Sequence, residues 1–171
     1  MALQSQVFTT LAPALPGMPA SVIETHYTAL TAMTASDVTV GNFVFADATN
    51  GDQVNKAGTG MVRGLVIYTR QYVGTPDSSN PLKLPKGIPV QIATNGKFWV
   101  KATNANARVG DYVLASQTDG SVTTQTGNAN KAGFSMTNFI VEHVEGTTAG
   151  SLVLISNQQP NVIPPMAAAA G

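Results

Sequence analysis

From residue 35 onward the sequence carries no apolar stripe of helical period with end caps, and that absence limits the fold more than any other feature. In its place come short runs rich in β-branched and aromatic residues: FVFA (43–46), GLVIYT (64–69), VQIAT (90–94), KFWVKAT (97–103), YVLA (112–115), FIVEHV (139–144) and SLVLIS (151–156). Such residues fit a pleated, half-buried surface. The intervening TNGD, TNG, TDGS and TAGS are turn sequences, because Asn and Gly tolerate the left-handed backbone and Asp or Ser can hydrogen-bond their own turn. Many short strands with regular turns predict an all-β fold, a jelly-roll-like β-sandwich or barrel of short antiparallel strands. Asn95-Gly96, between two such runs, predicts a two-residue hairpin. Residues 22–34 have mixed periodicity; their Thr and β-branched content favours extended chain, with a short helix as the alternative.

The two ends differ from the middle. Pro13, Pro16 and Pro19 stand three apart in residues 1–20. Proline lacks an N–H donor and holds the residue before it extended. With Leu3, Val7, Phe8 and Leu11 as large apolar groups, residues 1–20 predict an extended arm that docks on a neighbour. Residues 21–156 form one β-domain, and residues 157–171 leave it through Pro160, Pro164 and Pro165. Val162, Ile163 and Met166 allow this tail to be a second docking arm rather than a frayed end. The Pro-, Gly- and Ser-rich stretch 74–89 is a surface loop whose Leu82 and Leu84 are contact candidates. Phe98 and Val100 alternate with Trp99 and Lys101, so one aromatic faces the core and the other a subunit or capsid contact; Trp99 is the contact candidate.

The domain contains a repeat. VGNFVFADATNG (40–51) aligns with VGDYVLASQTDG (109–120), 69 positions apart, with Val40/Val109, Gly41/Gly110, Val44/Val113, Ala46/Ala115, Thr49/Thr118 and Gly51/Gly120 identical. The same offset sets Gly64-Leu65 against Gly133-Phe134, so the copies span 40–67 and 109–136. A period this long is no solenoid; it suits two β-modules that bury their apolar sides together.

Charge narrows the function. Nine Lys and Arg balance nine Asp and Glu, and charged residues make up 11% of the chain, too few for a basic nucleic-acid footprint. A neutral surface keeps free proteins apart poorly and suits a chain held in an assembly. There is no cysteine, hence no disulfide and no thiolate nucleophile or ligand. The first basic residue is Lys56, which argues against a secretory leader, and no apolar run approaches a membrane-spanning length of about 20 residues.

Chemistry is sparse. His26 and His143 are the only histidines. His143 shares a strand face with Glu145, while Glu142 should point the other way; two ligands make neither a metal centre nor a triad. No G-x-S-x-G elbow, Walker loop or dinucleotide fingerprint occurs. Asp47 and Asp52 bracket a turn without an EF-hand. Phe98-Trp99 between Lys97 and Lys101 could mimic an RNA-stacking strand, but the low charge favours a core aromatic with wet lysines. No catalytic, cofactor or metal residue is assigned.

A Pro/Ala-rich leader, then VTVGNFVFAD, QVNKAGTGMVRGLVIYTRQ, LPKGIPVQIATNGKFWVKAT, VGDYVLASQTDGSV and a closing SLVLIS follow in order. This succession resembles the structural cement, or head decoration, proteins of tailed bacteriophages over roughly residues 3–156, most closely at 96–101. The resemblance implies a non-enzymatic virion protein without cofactor, made in the host cytoplasm. It implies a place on the outer surface of an icosahedral head, bridging capsomers of a major capsid protein of HK97-like fold against internal DNA pressure. It also implies self-association, with a homodimer favoured over a trimer, and no nucleic-acid or membrane partner. Two alternatives stay open: a virion surface module that binds host glycan, and a small β-fold enzyme with an unrecognised site around His143.

Overall fold

A computed structural model describes residues 14–20, 28–69 and 82–157. Within them are twelve strands and no helix: β1 (Thr28–Thr34), β2 (Val38–Thr39), β3 (Phe43–Ala46), β4 (Gln53–Asn55), β5 (Val62–Val66), β6 (Lys83–Leu84), β7 (Pro89–Asn95), β8 (Lys97–Lys101), β9 (Tyr112–Ser116), β10 (Val122–Gln125), β11 (Phe134–Val144) and β12 (Leu152–Ser156). The all-β expectation holds. Residues 28–34, where the sequence left helix and strand open, are extended.

Strands β1-β4-β3-β5-β7 close into a barrel. Strands β10-β9-β11-β12-β8 form a second sheet, whose outer strands meet through a parallel bridge, Ala102 to Val122. The second sheet repeats the first strand for strand. Phe43 opposite Leu65 in one becomes Tyr112 opposite Ile140 in the other. Leu30 opposite Ile92 becomes Phe98 opposite Ile155, and Ala46 opposite Val54 becomes Ala115 opposite Val122. Even the closing bond recurs: Val54 O accepts from Ala35 N–H, and Val122 O from Thr103 N–H. The register equates Leu65 with Ile140 rather than with Phe134, because an irregularity between Met136 and Ile140 inserts extra residues into β11.

Both faces of β3 are buried, which explains its unbroken FVF run. Val44 points into the first barrel with Val54, Val66, Val90 and Ile92. Phe43 and Phe45 point out of it and join Phe98, Val113, Phe139 and Ile155 of the second module. The Phe43 and Phe139 rings lie 5.7 Å apart, and Phe139 meets Phe98 edge-on at 6.5 Å. The two modules therefore share one apolar cluster.

Asn95-Gly96 does not make the expected hairpin. β7 is already paired on both sides, with β1 and β5, so the chain turns a corner there and β8 joins the second sheet beside β12. The side chain of Asn157 fixes that corner, accepting from Gly96 N–H and donating to Thr94 O, both at 2.9 Å.

Residues 14–20, the end of the expected arm, lie on this same chain. Gly17 N–H donates to Trp99 O at 2.7 Å, Trp99 N–H to Met18 O at 2.9 Å, and Ala20 N–H to Lys97 O at 2.9 Å. On its other side Gly17 O accepts from Tyr68 N–H of the first module at 2.9 Å. The strap can pass because Gly17 has φ +82° and no side chain; a Cβ would stand 2.7 Å from Val40 Cγ1.

Candidate contact surface

The outer face of the second sheet gathers the side chains singled out in the sequence. Phe98 and Val100 of β8 are fully buried, so Trp99 takes the opposite face, where it is half-buried. The register sets Trp99 beside Leu154 and Leu154 beside His143. Trp99 meets the His143 ring edge-on at 6.0 Å. His143 Nε2 lies 3.0 Å from Glu145 Oε1, the contact expected from their shared face. Glu142 departs from its expected direction: an irregularity between Val141 and His143 lets it pair with Lys97 at 3.0 Å, on Trp99's side of the sheet. No third metal-ligating side chain joins the His143–Glu145 pair among the described residues.

The turn carboxylates act as caps. Asp47 accepts from the N–H groups of Thr49 and Asn50 and from Asn55, which holds its pKa below the ordinary value. Partial burial pushes Asp119 up, but bonds from Ser121, helped by Ser116, outweigh it and leave its pKa lowered too.

The remaining candidates divide. Leu84 is 4% exposed and packs inside the first barrel with Val38, so it is core and not available as an outward contact. Leu82 is half-buried against the same cluster, and its carbonyl accepts from Val40 N–H. Leu3, Val7, Phe8, Leu11, Val162, Ile163 and Met166 lie outside the described residues.

Two further features carry no signal in the sequence. Val109 is 68% exposed although its repeat partner Val40 is buried. A groove lined by Leu30, Met61, Arg63, Met136, Asn138 and Phe139 runs where β5 faces β11, and Met61 is 66% exposed in it. Arg63 Nε is buried there without a hydrogen-bond partner among the described residues. Strands distant in sequence build this groove, so no local motif announces it.

Residues 3–157 match the family described as structural cement protein (E217 gp24/Pam3 gp6). Among solved structures, a chain from the capsid of Myoviridae phage XM1 is similar with a TM-score of 0.61 and 16% identity, covering 92% of this chain and 98% of that one. The N base of head fiber gp8.5 from bacteriophage phi29 is similar with a TM-score of 0.47 and 14% identity, over 77% of this chain and 94% of that one. No curated protein matches. The match spans both modules and the strap, and the chain belongs to the phage structural cement protein family, a non-enzymatic component of the bacteriophage capsid.

Proposed function

We propose that this protein binds the outer surface of an icosahedral head and bridges neighbouring capsomers of a major capsid protein of HK97-like fold. The family match over residues 3–157 carries the reading. A charge-poor surface and an apolar N-terminal arm support it, since both suit contacts made by burial rather than by ion pairing. Leu3, Val7, Phe8 and Leu11 anchor the arm on a neighbouring subunit, and Trp99 presents its outward face to the shell or to a second copy, a homodimer being favoured. Arg63 offers its unpaired Nε to a carbonyl or carboxylate entering the groove beside Met61.

The mechanism is linkage. A ligand that binds only the assembled shell stabilises it at every occupied site, and repetition over the lattice multiplies a modest gain. Internal DNA pressure pulls capsomers apart, and a bridge across their seam resists that pull. Heads carrying the full protein, heads carrying a form lacking residues 2–12, and undecorated heads should be heated while DNA release is followed. The expected order of release is undecorated first, truncated next and full-length last, with hundreds of copies per full-length head. Equal release temperatures for decorated and undecorated heads would remove the stabilising role. Undiminished binding by the truncated form would move the docking surface off the arm.

A further inference from the structure

The chain contains two Asn-Gly steps, Asn50-Gly51 and Asn95-Gly96. The backbone nitrogen that follows an Asn can attack its side-chain amide, and a glycine there leaves the approach unshielded. The fold treats the two steps in opposite ways. Asn95 ends β7 in register with Thr28, and Gly96 is buried with its N–H donating to Asn157 Oδ1 at 2.9 Å. That nitrogen is occupied and its backbone is held. Asn50-Gly51 lies in the turn between β3 and β4, and both residues are exposed. No acceptor faces the Gly51 N–H among the described residues, and a Cβ on Gly51 would meet nothing within 4 Å. Asn50 Oδ1 accepts from Asp52 N–H at 3.1 Å, which turns the side chain back over the Gly51 peptide.

We propose that Asn50 is a site of spontaneous deamidation built into this turn. The Gly51 N–H loses its proton to a solvent base and the nitrogen bonds to Asn50 Cγ. The Cγ–Nδ2 bond then breaks, and the side-chain nitrogen leaves as ammonia with a proton from water. Asp52 N–H points at the oxygen on which charge builds during the attack. The cyclic imide next takes up one water. Opening at Cγ gives Asp, and opening at the main-chain carbonyl gives isoaspartate. One water enters, one ammonia leaves, and the surface gains one negative charge.

The repeat indicates which product fits. The second module already carries Asp at the equivalent place, in Asp119-Gly120. Asp119 Oδ1 accepts from Ser121 N–H at 3.0 Å, as Asn50 Oδ1 does from Asp52. Asp at position 50 therefore keeps the cap. Isoaspartate adds a methylene to the main chain between Asp47, which holds Thr49 and Asn50, and Gln53, which stands opposite Met33, so it disturbs the start of β4. Gly120 differs from Gly51 in donating its N–H to Ser116 O at 2.9 Å, which shields the second turn from the same cyclisation. None of this depends on capsid binding.

Incubation of the full chain in neutral buffer at physiological temperature, followed by proteolysis and mass spectrometry, tests the assignment. Asn50 should gain about 1 Da and Asn95 should not. The Asn50 rate should exceed the Asn95 rate by about tenfold or more, since releasing one backbone hydrogen bond alone accounts for a factor near that. In guanidinium the two rates should converge, which shows that the fold separates them. Asn157→Ala should raise the Asn95 rate and leave Asn50 unchanged. Asn50→Asp should melt within about 2 °C of the wild type, because the Asp52 bond survives. Equal rates in the folded chain, or an intact Asn50 there, overturn the proposal. A rate difference that persists in guanidinium overturns its structural cause. A lower melting temperature for Asn50→Asp overturns the equivalence with Asp119.

Discussion

The barrel and the second sheet have one strand plan and unequal surroundings. Val40 and Val109 each stand three residues ahead of equivalent strands, β3 and β9, yet Val40 is 3% exposed and Val109 68%. The strap and Leu82 cover the first, and nothing described covers the second. Phe43 and Tyr112 are equivalent in register, yet Phe43 is sealed between the modules while Tyr112 stays half-buried. Gly51 and Gly120 end equivalent turns. Gly51 has open space around it, whereas Gly120, at φ +70°, receives the Phe43 N–H and leaves no room for a Cβ beside the Phe43 carbonyl. A repeated backbone thus sets which residues can be buried, and the non-repeated connections decide which ones are.

Substitutions at paired positions test this asymmetry. The largest difference should come from the aromatic pair. Phe43→Ala should cost about 4 kcal/mol in chemical denaturation and Tyr112→Ala about 1 kcal/mol; equal costs would mean that the modules do not share their core. Gly120→Ala should cost about 3 kcal/mol through backbone strain and the collision with Phe43, against about 0.5 kcal/mol or less for Gly51→Ala. Val40→Ala should cost about 2 kcal/mol and Val109→Ala about 0.5 kcal/mol or less in the free protein, and a large loss at Val109 would show that this end is covered after all.

The smallest effect is electrostatic. Asp47 and Asp119 cap equivalent turns of the two modules from different positions, and both have lowered folded pKa values. Their stabilisation is complete above the ordinary carboxylate value of about 4 and is lost as pH falls through the lowered folded values. Thermal melts of the wild type should therefore fall from about pH 4 downward, and Asp47→Asn combined with Asp119→Asn should flatten that slope. An unchanged slope would show that other carboxylates govern acid stability.

Strands were legible wherever the apolar pattern had one cause. Phe98 and Val100 against Trp99 and Lys101 gave the inward and outward faces of β8 directly. The Asn95-Gly96 corner was not legible, because turn chemistry specifies a reversal but not which strand the reversed chain will pair with. The full repeat was hidden as well. TALTAMT (28–34) and GKFWVKA (96–102) occupy the same place with different side chains, and the insertion in β11 breaks the constant offset. Leu84 reads as loop because its neighbours are Pro, Lys and Gly, yet pairing with Val38 carries it into the barrel. Of the candidate contact surface, Trp99 and the His143–Glu145 pair could be anticipated, while Met61 and Arg63 meet β11 only through the packing of the modules.

The strap at residues 14–20 sets how a load would enter the molecule. A pull along the strap itself runs parallel to β8, across the bonds that Gly17, Met18 and Ala20 make with Trp99 and Lys97. Such bonds are strained together, in shear, instead of opening one after another as in a zipper. The further bond from Tyr68 to Gly17 passes part of the tension to the first barrel. A tether seated this way gives way only when several bonds fail at once, so the β-strands behind it keep their shape under a load that would unzip bonds met one by one.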